Sequence, residues 1–400
     1  MDIRQILKEA VRIPGEALLK VYLSSLPNEA FSPERINKIL VFAYHGLGNF
    51  IMYTPALKLL RERYPDARID LQVGNNTGCE EVLAGSDLFN NVYNLPQAAG
   101  VSAWLSRAQS IRETRYDLTI NEFHSHSWRL ALLVAASGAP FRLGHVTSPG
   151  WSHRFSRYSF VFNLPIVMRE DQHEIARYLE LVQAIGTPAA APDDVRTSIH
   201  LTEQDRAFAK EFLGERNGSG HLIIGFQPGT SPTMRWKQWP IERYREVISQ
   251  VVADKPDAHI VLFGSASEVQ MIREMSSGLK GRISLAAGKT SVKQVAALIE
   301  QCDMLVCNDS GLMHAAVAVG TPVTAIYGPT DYRRTAPLSD QHVVIRHDMP
   351  CSPCFKLEGD DQVHACEHHN CLMTISPEEV LHAISRFENH DARSSSNGSL

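Results

Sequence analysis

Asn308-Asp309-Ser310-Gly311-Leu312-Met313-His314 is the segment of this 400-residue chain whose residue types and spacing point most directly to chemistry. The apolar run MLVCN (304–308) stops there and GLMHAAVAV follows, which predicts a strand, a polar turn and a helix. The free N–H groups at a helix N-terminus favour an anionic group, and Ser310 and Gly311 permit close approach of a phosphate. His314 falls on the first turn of that helix. A plain N-cap by Asp309 or Ser310 would use the same residues, but similar chemistry at neighbouring strand ends weighs against it. Tyr327-Gly328-Pro329-Thr330-Asp331 is a polar turn after the next predicted strand. Gly225-Phe226-Gln227-Pro228-Gly229-Thr230-Ser231 is a third such loop, with small and hydroxyl residues suited to a phosphate. It leads into Met234-Arg235-Trp236-Lys237-Gln238-Trp239-Pro240, where Arg235 and Lys237 could stabilise the charge developing on a diphosphate; the alternative is a solvated loop with a buried Trp. In Phe263-Gly264-Ser265-Ala266-Ser267-Glu268, a carboxylate just past a strand can accept hydrogen bonds from ribose hydroxyls, or it can simply complement the dipole of its own helix.

The N-terminal half carries fewer such signals. His45-Gly46-Leu47-Gly48-Asn49 has two glycines of a dinucleotide fingerprint, but Ile51 stands where the third belongs, so an NAD site is not indicated. Glu122, His124 and His126 follow another predicted strand and carry titratable groups. Near the other end, Cys351 and Cys354 are followed by Cys366 and Cys371, with His364, His368 and His369 interspersed. Four thiolates at such spacing suit a structural zinc or iron ion; reduced thiols or a disulfide are the alternatives. Cys79, Cys302 and Cys307 read as small buried residues.

These loops need a scaffold. Short apolar runs at 38–44, 68–74, 91–95, 116–123 and 159–164 alternate with helical patterns at about 51–64, 101–114, 127–137 and 172–186. After the Ala/Pro/Asp-rich stretch 187–195, a second series places strands at 221–226, 259–264, 304–308 and 323–328, with helices near 241–253, 267–277, 291–301 and 312–319. Alternation of this kind implies βαβ units and parallel sheets, and ligands of such sheets bind at the carboxyl ends of the strands. Ser376-Pro377-Glu378-Glu379 reads as a helix start with a capping box. The expected organisation is a helical appendage over 1–35, an α/β domain over 36–190, a second α/β domain over 191–388 containing the cysteine segment 351–371, and a disordered tail over 389–400. In the appendage Ile6, Leu7, Ala10, Val11 and Ile13 share one helical face, continued by Leu18, Leu19, Tyr22 and Leu23.

Composition sets the outer limits. With 39 Lys+Arg against 44 Asp+Glu and a net charge of −5, there is no basic excess for gripping nucleic acid. At 44% hydrophobic residues the chain is not of the class that stays disordered, and no run approaches a membrane span. The polar N-terminus lacks a signal-peptide core, so a cytoplasmic location is expected, where clustered cysteines more often bind metal than form disulfides.

The segments GLGNFIMYTPALKLLRERYPDARIDLQV, GFQPGTS…KQWP, NDSGLMHAAVAVGTPVTAIYGPTD and PCSPCF…HNCLMTISPEEV together resemble glycosyltransferase family 9, the ADP-heptose:lipopolysaccharide heptosyltransferases, over about residues 36–388. The resemblance implies a GT-B fold, two Rossmann-like domains facing across a cleft, with the acceptor bound mainly by the first (36–190) and the nucleotide sugar mainly by the second (191–388). It also implies an inverting, metal-independent transfer, usually of heptose from ADP-heptose, to a lipopolysaccharide-type glycan or glycolipid acceptor. By motif, Asp309, Ser310, Gly311 and His314 match the donor-binding segment, Lys237 the phosphate-contacting lysine, and Glu268 the ribose-binding carboxylate; Thr230, Ser231 and Arg235 join them as donor-site candidates. One departure matters. The family's proposed general base is an Asp where this chain has Asn49, and an amide cannot take a proton near neutral pH. Glu122 and His124, then His126 and His45, are the replacement candidates, with Asn49 left to position the acceptor. Two other readings are a different donor, such as a UDP- or GDP-sugar, and a non-catalytic sugar-nucleotide-binding protein. A lipid-linked acceptor would bring the protein to the cytoplasmic face of the inner membrane.

Overall fold

KILVFA and RIDLQV pair in parallel, from Lys38↔Arg68 to Ala43↔Val73, and the rest of the architecture repeats that motif. The structure, a computed structural model, describes residues 16–26, 30–74, 78–96, 98–122, 127–147, 158–169, 171–214, 222–355 and 366–396. The chain divides into two compact units, Met1–Gly46, Tyr53–Glu80 and Gly85–Ala191 in one, and Leu47–Met52, Glu81–Ala84 and Pro192–Leu400 in the other.

The first sheet contains β1 (Lys38–Ala43), β2 (Arg68–Val73), β3 (Asn91–Asn94), β4 (Leu118–Asn121), β5 (Phe141–Thr147) and β6 (Leu164–Met168). Its order is β3-β2-β1-β4-β5-β6. The second contains β7 (Ile223–Gln227), β8 (His259–Leu262), β9 (Arg282–Leu285), β10 (Met304–Asn308), β11 (Val323–Ile326) and β12 (Val343–Ile345), in the order β12-β11-β10-β7-β8-β9. Both sheets are parallel throughout. The central strands read as near-continuous apolar runs because helices cover both faces. In each sheet the strand order reverses between two neighbours, β1 and β4 in the first, β7 and β10 in the second. The crevice beyond the carboxyl ends at such a point is where open α/β sheets take their ligands.

The intervening helices are α1 (Leu47–Arg63), α2 (Val101–Thr114), α3 (Trp128–Ala136), α4 (Glu174–Gln183), α5 (Glu203–Leu213), α6 (Ile241–Asp254), α7 (Val269–Ser276), α8 (Val292–Glu300), α9 (Gly311–Val319) and α10 (Pro377–Ser396). Their starts follow local chemistry. Thr202 and Asp205 form a capping box on α5, Ser291 and Gln294 another on α8, and Glu379 accepts from the Ser376 N–H before α10, each occupying donors that a helix start leaves open. One core gathers Phe226, Trp239, Tyr244, Ile260 and Leu372 in the second unit. Another gathers Phe42, Trp104, Ile111 and Phe162 in the first.

Several expectations need correction. The run SFVFNL (159–164) is not a strand: Ser159–Val161 is a single tight turn and the strand begins at Leu164, because Val161 and Phe162 turn into the core. β5, β9 and β12 were not expected at all. Residues 16–24 are helical, but Leu18 is 70% exposed while Leu23 is buried, so Leu18 does not belong to the packed face. Ile6, Leu7, Ala10, Val11 and Ile13 lie outside the described residues. α10 continues to Ser396, so the stretch 389–396 is helix, not tail. Among the described residues no helix is long and apolar enough to cross a membrane.

Candidate functional site

In the second unit the polar loops converge on the β7/β10 switch point. Asn308, the last residue of β10, is fully buried and ties three segments together. Its amide donates to the carbonyls of Pro228 and Gly229 at 3.0 and 3.1 Å, and its Oδ1 accepts from the Trp239 N–H at 3.0 Å. The loop after β7 and the Lys237–Pro240 segment are thereby fixed against the end of β10. Lys237 Nζ lies 2.7 Å from Asp309 Oδ2, and the Thr330 hydroxyl donates to the same oxygen at 2.8 Å. Burial pushes the Asp309 carboxyl upward, but Lys237, Thr330 and nearby His314 outweigh it and hold the group below the ordinary aspartate value. Asp309 is therefore an anion whose service is to hold an ammonium in place. Ser310 donates to Gln227 Oε1 at 2.7 Å, just ahead of α9, and His314 is buried on the first turn of that helix.

A pocket of about 340 Å³ opens beside these loops, lined by Thr230, Arg235, Gln238, Ser267, Glu268 and Met271. Of the two roles considered for Glu268, the structure shows the capping one. Its Oε2 accepts from the Ser265 N–H and hydroxyl, both at 2.7 Å, capping its own helix. Its Oε1 is buried with no hydrogen-bond partner among the described residues. That oxygen is pressed against Gly229, where a Cβ would meet it at 1.7 Å, so the glycine is required for close approach. Ser231 and Arg235 are exposed beside the pocket, and Thr230 is buried.

In the first unit the β1/β4 switch point carries His45 and Glu122, each just past its strand. Asn49 lies in the first turn of α1. Glu122 is completely buried, with no hydrogen bond to either carboxylate oxygen among the described residues. Burial and the charge of Glu174 drive its carboxyl well above the ordinary glutamate range, against a weaker pull from the backbone of Tyr44 and His45. His45 Nδ1 is 3.8 Å from Glu122 Oε1 and 3.5 Å from the Tyr178 hydroxyl. Behind them, His145 on β5 meets two carbonyls, Glu122 O at 2.5 Å and Arg177 O at 3.2 Å. Burial, aided by Arg177, holds that ring below the ordinary histidine value even so. Its part is to pin the end of β4 to α4. A Glu sealed from solvent is poorly placed to receive a substrate proton directly, which corrects the preference for Glu122 as the base. His124 and His126 lie outside the described residues.

The model of glycosyltransferase family 9 (heptosyltransferase) matches residues 104–362. The chain belongs to that family. It is a glycosyltransferase, and its paired six-stranded parallel sheets are the GT-B fold. Among its relatives, lipopolysaccharide heptosyltransferase 2 of Escherichia coli (strain K12) is 28% identical over 361 residues, covering 87% of this chain and 97% of that protein. Lipooligosaccharide heptosyltransferase 2 of Haemophilus influenzae is 29% identical over 365 residues, covering 86% and 98%. The solved structure of the E. coli ADP-heptose lps heptosyltransferase II superposes with a TM-score of 0.69 at 25% identity, covering 89% and 99%.

Within this glycosyltransferase the four clustered cysteines are joined to the switch-point loops. The Cys354 and Phe355 N–H groups donate to Pro329 O at 3.0 and 2.9 Å, next to the Thr330 that holds Asp309, and the Phe355 ring packs on Trp236 at 4.8 Å. Burial and the neighbouring thiols Cys354, Cys351 and Cys366 push Cys371 up to about 11, which keeps it a thiol near neutral pH. Cys366 Sγ accepts from the His369 N–H at 3.4 Å. Among the described residues no three His, Cys, Asp or Glu side chains are arranged to hold an ion. His364 lies outside the described residues. Sequence reasoning missed Thr330 and Asn308 as organisers of the site. The signal for Asn308 was an amide ending an otherwise apolar strand.

Proposed function

We propose that this chain transfers heptose from ADP-heptose to a lipopolysaccharide-type glycan or glycolipid acceptor, with inversion and without a catalytic metal. The observation that carries the reading is the charge arrangement at the β7/β10 switch point: a cation, Lys237, held 2.7 Å from Asp309 beside the N-terminus of α9 and a pocket bordered by a carboxylate oxygen. The names of the relatives support the donor and acceptor class. In this reading the acceptor oxygen attacks the anomeric carbon and the bond to the diphosphate breaks. The leaving electron pair is stabilised by Lys237, Arg235 and the N–H groups at Ser310 and Gly311. Thr230 and Ser231 line the phosphate side, Glu268 Oε1 accepts from the ribose, and His314 supports Asp309. Asn49 positions the acceptor, and His124 stays a candidate neighbour of it.

The four cysteines are proposed to hold a structural zinc or iron ion, supported by their all-thiol donor chemistry, with their side chains closing on the ion from positions that, among the described residues, do not converge on one here. Their contribution would be to brace the Gly328–Thr330 turn, and metal analysis of the purified protein tests it. The reaction is proposed to be cytoplasmic, with peripheral contact at the inner membrane if the acceptor is lipid-linked; vesicle flotation tests that contact. The donor reading is tested by thermal shift with ADP, UDP and GDP. Stabilisation by ADP alone is expected, and stabilisation by UDP or GDP alone would reassign the donor.

A further inference from the structure

The cation on which the donor reading relies stands on a loop with little regular structure of its own. Pro232–Lys237 is a short 3₁₀ run. The Thr230 hydroxyl holds it by donating to Met234 O at 3.0 Å, and past its end the Trp239 N–H donates to Asn308 Oδ1 at 3.0 Å. Lys237 lies between those two anchors. The flexible stem of a lysine lets its ammonium go wherever the neighbours allow, and here Asp309 and Trp236 fix it. Asp309 Oδ2 is 2.7 Å from Nζ. The Trp236 ring centroid is 5.6 Å from Nζ, within reach of a cation–π contact. That ring is in turn packed by Phe355, with centroids 4.8 Å apart and planes tilted by 34°.

Phe355 comes from a distant stretch of chain, the cysteine segment, and the backbone there is fastened. The N–H groups of Cys354 and Phe355 both donate to Pro329 O, at 3.0 and 2.9 Å, and the Ser352 hydroxyl donates to Gly328 O at 2.7 Å. The buried Leu372 side chain presses on the same turn, where a Cβ on Gly328 would meet Leu372 Cγ at 2.5 Å. Thr330, the next residue of that turn, donates to Asp309 Oδ2 at 2.8 Å. The contacts therefore close a circuit, from Lys237 to Asp309, Thr330, Pro329, Phe355 and Trp236, and back to Lys237. From this circuit we infer that Phe355 is a positioning residue of the donor site. Its ring fixes the Lys237 ammonium through Trp236, and its N–H fixes the partner carboxylate through Pro329 and Thr330. Without the ring, Trp236 is free to turn about its side-chain bonds, and the ammonium loses one of the neighbours that aim it. A misplaced cation stabilises a leaving diphosphate less well.

This inference rests on the donor reading above, so transfer and nucleotide affinity are measured on the same samples. F355A is expected to lower kcat/KM for the nucleotide sugar by about tenfold to a hundredfold, with the acceptor KM within about twofold of wild type. F355Y and F355W keep a flat ring against Trp236 and are expected to stay within about threefold of wild type. The deciding readout is the double variant. A residue that acts through Lys237 has nothing left to position once the lysine is gone, so K237A with F355A is expected to transfer within about twofold of K237A alone. F355L keeps apolar volume without the flat face; it guards against a folding defect in F355A and is expected to show the same loss and the same non-additivity. Losses that multiply, with the double variant about tenfold or more below K237A, would overturn the assignment by reducing Phe355 to packing, and so would wild-type kcat/KM in F355A and F355L. If the wild type transferred nothing from ADP-heptose, the donor reading would fail. The same cycle read as affinity for ADP, UDP and GDP would then decide the positioning role by itself, non-additive losses supporting it and additive or absent ones overturning it.

Discussion

At the ends of β7 and β10, Asp309 meets an ammonium at 2.7 Å and a hydroxyl at 2.8 Å, while Lys237 keeps 15% of its side chain exposed. At the ends of β1 and β4, Glu122 is wholly buried and faces the His45 ring at 3.8 Å. The two switch points share strand order and differ in electrostatics. The first arrangement keeps a fixed ion pair that costs little reorganisation when a charged diphosphate arrives. The second keeps a carboxyl out of water, where its neutral form is favoured and its charge can respond to a neighbouring imidazole. One edge holds a fixed ion pair, the other a buried carboxyl beside an imidazole.

The largest way to break this contrast is at the ion pair. K237A is expected to lower transfer by about a hundredfold to a thousandfold, read as kcat/KM for the nucleotide sugar. D309A should also reduce donor binding and, by leaving Lys237 half-buried without its partner, cost about 3 kcal/mol of stability, measured by urea unfolding. G229A is next. A Cβ there would displace the Glu268 carboxylate, so the donor KM should rise by about tenfold, the loss of one hydrogen bond to a charged group, with melting temperature little changed. E122Q sharpens the comparison by its opposite sign. The folded-state carboxyl is raised, so its favourable contribution is full below pH 4.5 and is lost as pH rises toward the folded value. E122Q should therefore be more stable than wild type at pH 7 and about equal to it at pH 4, read by urea unfolding at both pH values. Asp309 runs the other way: its depressed carboxyl stabilises above pH 3.8 and that contribution fades as pH falls through the folded value.

The smallest effect lies outside both edges. Burial, with Arg282, lowers His259 from 6.5 to about 4, so between those values the unfolded chain takes up the proton first. Stability falls as pH drops through that window, and H259Q should flatten the pH dependence of the melting temperature there.

The alternating pattern was enough to read an α/β chain, because buried parallel strands such as MLVCN are apolar runs and their loops carry Gly, Ser and Asp. β5 was not legible because Arg142 and His145 interrupt it. Arg142 is satisfied by the carbonyls of Val161 and Ala139, and a sequence does not display such partners. β9 and β12 are short edge strands whose pairing depends on neighbours placed by the fold. The polar strand-end segments of the second unit were visible as sequence, and the structure brings Lys237 to Asp309 across 72 positions. The partnership of His45 with Glu122 was hidden, because only the strand order 2-1-4 sets the ends of β1 and β4 side by side.

The central claim, heptose transfer from an ADP-activated donor, is tested most directly by incubating the purified protein with ADP-heptose and a lipopolysaccharide-core acceptor and weighing the product. The expected result is an acceptor heavier by one heptosyl residue with stoichiometric release of ADP. An acceptor unchanged with ADP-heptose but glycosylated from a UDP- or GDP-sugar would contradict it.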